Sequence, residues 1–176
     1  LIQVFSALAT GGAVVAAQYL GARARGRACD TAKQVVWATT LIAALIGLVA
    51  AVWNGPILGA IYGALEPSVM ENARVYFLIS AISYPFLALY NAGAALYRSM
   101  GNSRISLVIS LIMNVVNVAG NALLIFVFDM GVAGAALASL ASRVLAAVIV
   151  TKLICHKSNP IHVNRLFHFE WNGDIL

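Results

Sequence analysis

Residues 103–128 read SRISLVISLIMNVVNVAGNALLIFVF, and this stretch decides the fold. From Ile105 to Phe128 it contains no charged residue, and it is long enough to cross a bilayer as one helix. Its polar residues recur in steps of three and four, within roughly 60° of one line on a helix. They are Ser103, Ser106, Ser110, Asn114, Asn117 and Asn121. An unpaired amide in hydrocarbon is unfavourable, so we predict that other helices, or water and a passing solute, lie against this face.

The composition predicts an all-α integral membrane protein. Of the 176 residues, 62% are hydrophobic and only 10% are charged, whereas soluble domains carry about 25% charged residues. A lipid bilayer is therefore the expected solvent and partner. The net charge of +5 does not indicate a nucleic-acid partner, because the basic residues sit at the ends of predicted helices and are not interleaved with aromatic ones.

Hydropathy predicts a bundle of five transmembrane helices in residues 1–155, followed by a cytosolic linker in residues 156–176. The predicted spans are residues 3–20, 34–53, 75–97, 105–128 and 131–154. A short apolar segment, residues 57–65, is too short to span and is expected to lie in the interface or fold back. Because apolar runs are under way at both ends of the chain, we interpret it as a piece of a longer membrane protein.

Basic residues set the expected orientation. The connection after the first span, GARARGRACDTAK, is predicted to be a basic loop. Together with the loop after the third span and the end of the fifth span with its tail, it holds nine of the eleven Lys and Arg residues. The positive-inside rule places these three segments in the cytosol, and the connection with Glu66 and Glu71 outside.

Neither an enzyme nor a metal site is predicted. Cys29 and Cys155 fall in segments expected to be cytosolic, so both are expected to be reduced, without a disulfide or a bound metal. The chain lacks HExxH, P-loop and GxSxG motifs. No predicted span carries two carboxylates, so general acid–base chemistry has no candidates there. No cofactor is expected.

Several ordered motifs resemble the multidrug and toxic compound extrusion (MATE) family. They are QYLGARARGRA after the first span, LYRSMGNSR before a helix carrying NVVNVAGN, and the following MGVAGAALAS. The resemblance implies twelve helices in two lobes, with this chain as helices two to six of the N-terminal lobe. Helix one and the C-terminal lobe would then be missing. It also implies a plasma-membrane antiporter that exchanges small organic substrates for protons or sodium ions, with the coupling ion unresolved.

The resemblance assigns roles to residues on two spans. Asn117 matches an asparagine that, with an aspartate four residues later, serves ion coupling in some members of the family. Asn121 matches the aspartate position but is an amide, which takes up no proton at physiological pH and instead coordinates sodium or hydrogen-bonds a solute. Ser139 matches a polar position of the family's cavity. This departure disfavours a carboxylate-based proton site in this lobe, and whether an acid for ion coupling lies in the missing parts stays open.

Other candidate pathway residues leave two interpretations open. Asn114, Asn117 and Asn121 either hold helices together or line a cavity. Arg143, a charge well inside a span, either snorkels toward the cytosolic headgroups or lines or gates the cavity. Pro85 kinks its span and is either a static kink or a hinge for alternating access. Tyr84 and Asn91 are further polar residues of that span.

Three functions from different classes remain. The first is a secondary active multidrug efflux transporter that exports amphiphilic or cationic compounds by alternating access. The second is a lipid or lipid-carrier flippase of related build, which a strongly cationic cavity would favour. The third is a non-transporting membrane scaffold whose spans only pack. The substrate itself cannot be read from the sequence.

Overall fold

The computed structural model describes residues 2–63, 66–156 and 159–161, and within these ranges the protein is helical, without strands. The elements are α1 (Ile2–Gly21), α2 (Arg25–Val52), α3 (Asn54–Tyr62), α4 (Pro67–Ser99), α5 (Ser103–Ala122), a π-helical turn (Leu123–Val127) and α6 (Gly131–Ile154). All but α3 are long and apolar enough to cross a membrane, with the π-helical turn counted as part of α5. The prediction of an all-α fold with five membrane-spanning helices is confirmed.

Helix α4 is the centre of the bundle. It packs against α1 and α2 on one side and against α6 on the other, while α5 lies mainly on α6. The buried core consists largely of alanines from α1, α2, α4 and α6. Small residues let helices approach closely where no hydrophobic effect drives them together. Gly12 of α1 therefore faces Val35 of α2 without room for a Cβ, and Gly93 of α4 faces Val150 of α6 in the same way.

The extent of the predicted basic loop is wrong. Helix α2 begins at Arg25, so only residues 22–24 form the turn, with Arg23 at a φ of 60°. Arginine, alanine and lysine are good helix formers, so the helix continues past its apolar part and carries Arg27 and Lys33 on its first turns. The pattern of apolar residues identifies only the part of the helix that is suited to the hydrocarbon core of a membrane. That part is shorter than the helix itself.

The connection between the second and third spans also contains more helix than predicted. Helix α4 begins at Pro67, at the first helical position, where proline has no backbone hydrogen bond to lose. The short apolar segment forms α3, which packs against α4. At the far end of α5 the last turn is π-helical, beside Gly134, where a Cβ would lie 3.0 Å from Cβ of Leu124.

The first described residues after α6 lie against the end of the bundle. Asn159 Nδ2 donates to the Tyr97 hydroxyl at 3.0 Å and to the Leu153 carbonyl at 2.7 Å. Ile161 is fully buried in the core cluster that contains Tyr97. The chain leaving α6 is thus fixed to the end of α4. The remaining residues of the predicted linker lie outside the described ranges.

Both cysteines are free thiols. Cys155 follows directly after α6, and its burial raises the pKa of the thiol above its usual value of 9.0. At neutral pH it is therefore protonated and a poor nucleophile or metal ligand. The described residues contain no group of three or more His, Cys, Asp or Glu side chains able to hold a metal ion.

Candidate functional site

The asparagine face of α5 lies beside α6 because small residues bring these two helices together. A Cβ added to Gly120 would lie 3.1 Å from Cβ of Ala138. Such a close approach leaves no space for larger side chains at the seam. Asn117 precedes Gly120 by about one turn of α5, so its side chain reaches the polar side chains that α6 presents.

Asn117 and Asn121 form a hydrogen-bonded network with α6. Asn117 Nδ2 donates to Ser139 Oγ at 3.1 Å and lies 3.5 Å from Ser142 Oγ. Asn121 Nδ2 donates to Asn117 Oδ1 at 3.2 Å. Ser142 Oγ in turn donates to the Ser139 carbonyl at 2.9 Å. The spacing of the two asparagines along α5 and the position of Ser139 on α6 thus bring these three candidate residues together.

One polar atom of this network lacks a hydrogen-bond partner among the described residues. Asn121 Oδ1 is buried and has no hydrogen-bond partner among the described residues. A buried acceptor without a donor is unfavourable by about 1–3 kcal/mol. A water, a cation or a donor group of a solute would satisfy it. Helix–helix contacts alone therefore account for Asn117 but not for the oxygen of Asn121.

The rest of the polar face of α5 is divided between two environments. Ser106 is buried, and its Oγ accepts a hydrogen bond of 3.1 Å from Arg98 Nη1, which ties α5 to the end of α4. Asn114, by contrast, is exposed, and no hydrogen bond joins it to any described residue. Ser106 is thus a packing contact between α4 and α5, whereas Asn114 is not packed against another described helix.

Arg143 lies near the middle of α6 and bonds across to the middle of α4. It is about 18 Å along α6 from Gly131 at 1.5 Å per residue. Its Nη1 donates to Ser83 Oγ, and Ser83 itself is fully buried and donates to the Ser80 carbonyl at 2.6 Å. A neutral hydroxyl thus holds the guanidinium near the middle of α6. A snorkelling side chain would instead extend toward the end of the helix.

No carboxylate within the described ranges balances this charge. The acidic residues there are Asp30, Glu66, Glu71 and Asp129, and all four lie in the first turns of a helix or outside the helices. A charged side chain near the centre of a membrane helix is unfavourable by at least about 2.5–3.5 kcal/mol. Arg143 therefore needs a polar environment that these residues do not supply.

Tyr84 and Asn91, the other two candidates on α4, lie apart from the asparagine network. The Tyr84 ring packs against Phe5 of α1, with ring centroids 6.0 Å apart and an interplanar angle of 59°. Asn91 is half-buried, and its Nδ2 has no partner among the residues that the structure describes. Neither side chain is hydrogen-bonded to Asn117 or Asn121.

Pro85 lies inside α4, and the carbonyl that it frees meets α2. Proline lacks the N–H that would bond the carbonyl four residues earlier, here that of Ala81. A Cβ built on Gly47 of α2 would lie 2.7 Å from this Ala81 oxygen. Glycine is the residue that lets α2 lie against the freed carbonyl, and its Cα–H is available as a weak donor.

Three residues at this site were not found from the sequence. Ser83, Ser142 and Gly47 contact partners on other helices, and nothing in the sequence around Ser83 or Gly47 indicates this. One weak signal existed for Ser142, because it lies three residues after Ser139 and next to Arg143. The whole arrangement offers amide, hydroxyl and guanidinium groups, which bind solutes by hydrogen bonds.

Comparison with known sequences identifies relatives of this fold. The family model MatE matches residues 1–123. The chain is 30% identical over 177 residues to the uncharacterized transporter YisQ of Bacillus subtilis, covering 96% of this chain and 38% of that protein. It is 29% identical over 97 residues to multidrug and toxin extrusion protein 2 of Mus musculus, covering 55% of this chain and 17% of that one.

Solved structures share the fold across nearly the whole chain. A crystal structure of MATE in the bent conformation superposes with a TM-score of 0.88 at 19% identity, covering 97% of this chain and 38% of that one. An outward-facing multidrug resistance MATE family transporter of the MOP superfamily gives a TM-score of 0.88 at 18% identity, covering 99% and 38%. The chain thus spans about two fifths of the length of these relatives.

Proposed function

The chain belongs to the MatE family, whose model matches residues 1–123, and on that premise we propose that it forms helices two to six of the N-terminal lobe of a multidrug efflux transporter. The whole protein would export amphiphilic or cationic organic compounds by alternating access. Its relatives are transporters, which supports transport over a packing-only scaffold and over catalysis. Helix one and the C-terminal lobe would be supplied by the rest of the chain.

The observation that carries this proposal is the asparagine network at the seam of α5 and α6. It contains a buried acceptor, Asn121 Oδ1, without a donor among the described residues, and an exposed Asn114 lies about two turns earlier on the same helix. Amides with unused hydrogen-bonding capacity in a membrane helix fit a solute pathway better than simple helix contacts. The solute would pass along this face of α5.

The proposed transport is secondary active antiport driven by protons or sodium ions. Asn121 does not titrate, and the acids within the described ranges lie near helix ends. If protons drive transport, the coupling acid therefore lies in another part of the protein. If sodium does, the oxygen atoms of Asn117 and Asn121 are suitable ligands.

Substitution of Asn121 tests the proposal. In the full-length protein reconstituted into vesicles, Asn121→Leu is expected to lower efflux of an organic cation at least about tenfold while the protein stays folded. Asn121→Asp introduces a titratable group, so efflux should become more pH-dependent. Ala122→Leu, at an exposed position next to it, is the control and should leave efflux unchanged.

The readout is the efflux rate per folded molecule, measured against pH under an imposed proton or sodium gradient. Wild-type rates for both Asn121 variants at every pH would assign this residue to packing and remove the basis of the proposal. A rate that responds to only one of the two gradients identifies the coupling ion.

One observation favours the second candidate, a flippase for anionic lipids or lipid carriers. Arg143 places a positive charge in the middle of the bundle, and no carboxylate in the described part of the chain lies near it. The same vesicle assay with matched cationic, neutral and anionic substrates separates the two functions. Selective movement of the anionic lipid would replace efflux of organic cations as the proposed activity.

The proposed orientation places the basic turns in the cytosol and the protein in the plasma membrane. Single cysteines are introduced at Arg25, Ser99 and Ser68 in a variant with Cys29 and Cys155 replaced by serine. The first two are expected to react with an impermeant maleimide from the cytosolic side, and the third from outside. Labelling of positions 25 and 68 from the same side would contradict the five-span topology.

A further inference from the structure

A cleft of about 380 Å³ runs between α1 and α2 on the surface of the bundle. Its walls are mostly apolar and include Leu8 and Val15 of α1, with Val35, Ala38 and Ile42 of α2. Along α2 it extends from Thr31 to Ile42, about 16 Å at 1.5 Å per residue. The cleft does not include any of the candidate pathway residues described above.

Two neighbouring glycines of α1 create this cleft. Gly12 brings α1 against Val35, so that the helices touch, whereas a Cβ at Gly11 would meet nothing within 4 Å. The wall at Gly11 is therefore empty where most residues would place a side chain. The result is a mostly apolar cleft beside a tight helix contact.

One end of the cleft lies close to a basic side chain. Thr31 lines it and is 2% exposed, and its hydroxyl has no hydrogen-bond partner among the described residues. Arg27 lies one turn before Thr31 on α2 and is exposed. Since residues four apart share a helix face, Arg27 stands at the mouth of the cleft.

We propose that this cleft binds one acyl chain of an anionic phospholipid whose headgroup is held by Arg27. The apolar walls match the hydrocarbon chain of the lipid. The charge at the mouth selects the headgroup, because basic side chains at the membrane surface attract anionic lipids. The lipid comes from the leaflet at the basic end of the bundle.

Native mass spectrometry of the full-length protein, stripped of lipid in detergent, tests this site. The probes are phosphatidylglycerol and phosphatidylcholine with identical acyl chains. We expect one phosphatidylglycerol to bind more tightly than phosphatidylcholine. Arg27→Gln should weaken phosphatidylglycerol binding about fivefold, which corresponds to one charge contact near the membrane surface, and leave phosphatidylcholine unchanged.

Two further variants address the walls of the cleft. Gly11→Leu fills the empty wall and should weaken binding of both lipids, whereas Thr31→Val, of the same shape, should leave both unchanged because the hydroxyl is buried beneath the wall. Arg25→Gln is the matched control for Arg27→Gln, because side chains two positions apart on a helix point about 160° away from each other. Ala7→Leu, at an exposed position of α1, is the control for Gly11→Leu.

Several outcomes would overturn the proposal. Equal effects of Arg27→Gln and Arg25→Gln would show that the headgroup is not held at the cleft. Unchanged lipid binding in Gly11→Leu would show that the acyl chain lies elsewhere. A Gly11→Leu protein that loses thermal stability, while Arg27→Gln binds lipid as the wild type does, would show that a helix from the rest of the chain fills the cleft.

Discussion

Replacing Gly47 with alanine is expected to lower the free energy of unfolding of the bundle by about 1–3 kcal/mol. The added methyl group would lie 2.7 Å from the Ala81 carbonyl oxygen of α4. Because that oxygen belongs to the backbone, it cannot swing away as the end of a side chain can. Helices α2 and α4 would have to separate at the centre of the bundle.

The physical reason for this sensitivity is Pro85. Without a backbone N–H at position 85, the Ala81 carbonyl loses its regular partner in α4. In a bilayer, such a freed group must find another donor, because water is not at hand. The Cα–H of Gly47 is available as a weak donor at this place. Alanine in its place would both push α2 away and remove this contact.

Two controls separate this contact from a general effect of glycine. Gly26 lies in the first turn of α2, and a Cβ there would meet nothing within 4 Å. Gly26→Ala should therefore leave stability unchanged or raise it, by up to about 1 kcal/mol. Pro85→Ala restores the missing N–H, so the Ala81 carbonyl is expected to turn back into its own helix.

The double variant gives the decisive comparison. In a Pro85→Ala background, Gly47→Ala should destabilise the full-length protein less than it does in the wild type, as measured by thermal unfolding in detergent. Equal destabilisation in both backgrounds would mean that the proline does not direct the carbonyl toward α2. Whether Pro85 also serves as a hinge stays a prediction, and efflux by Pro85→Ala would test it.

The sequence predicted the membrane helices well because each span is a long apolar run. The fifth span, residues 131–154, has the bounds of α6. The ends of α2 and α4 were predicted less well, since hydropathy reports where hydrocarbon begins and not where the helix does. Arg25 and Pro67 are both compatible with the start of a helix. A prediction based on apolar runs does not include them in the helix.

The candidate site was predictable only in part. The periodicity of α5 placed Asn117 and Asn121 on one face, and the structure joins them by a hydrogen bond. The role of Ser83 depends on Arg143, sixty residues later in the chain. Such pairs arise from the way helices meet, which local spacing does not encode. For the same reason the sequence did not distinguish exposed Asn114 from buried Ser106.

Replacing Arg143 with leucine is expected to produce opposite effects on stability and transport. A charged side chain at the centre of a membrane helix opposes insertion by about 2.5–3.5 kcal/mol, so its removal should leave the bundle as stable as before or more so. Ser83 keeps its hydrogen bond to the Ser80 carbonyl. Efflux, however, should fall at least about tenfold if the guanidinium faces the solute.

Arg143→Lys tests which property of the arginine matters. Lysine keeps the charge but lacks the planar fork of donors, so an intermediate rate would indicate that both the hydrogen bond and the charge contribute. Val148→Leu, at an exposed position of the same helix, is the control for changes on α6. The measurements are thermal unfolding and efflux per folded molecule in the full-length protein.

The combination of the two readouts decides the role of Arg143. A leucine variant that is less stable and transports at the wild-type rate per folded molecule would make the contact with Ser83 purely structural. A variant that stays folded yet fails to transport would show that the protein retains an unfavourable charge for its activity. That second outcome is expected, because a single bond to a neutral serine does not compensate a guanidinium in the middle of the membrane.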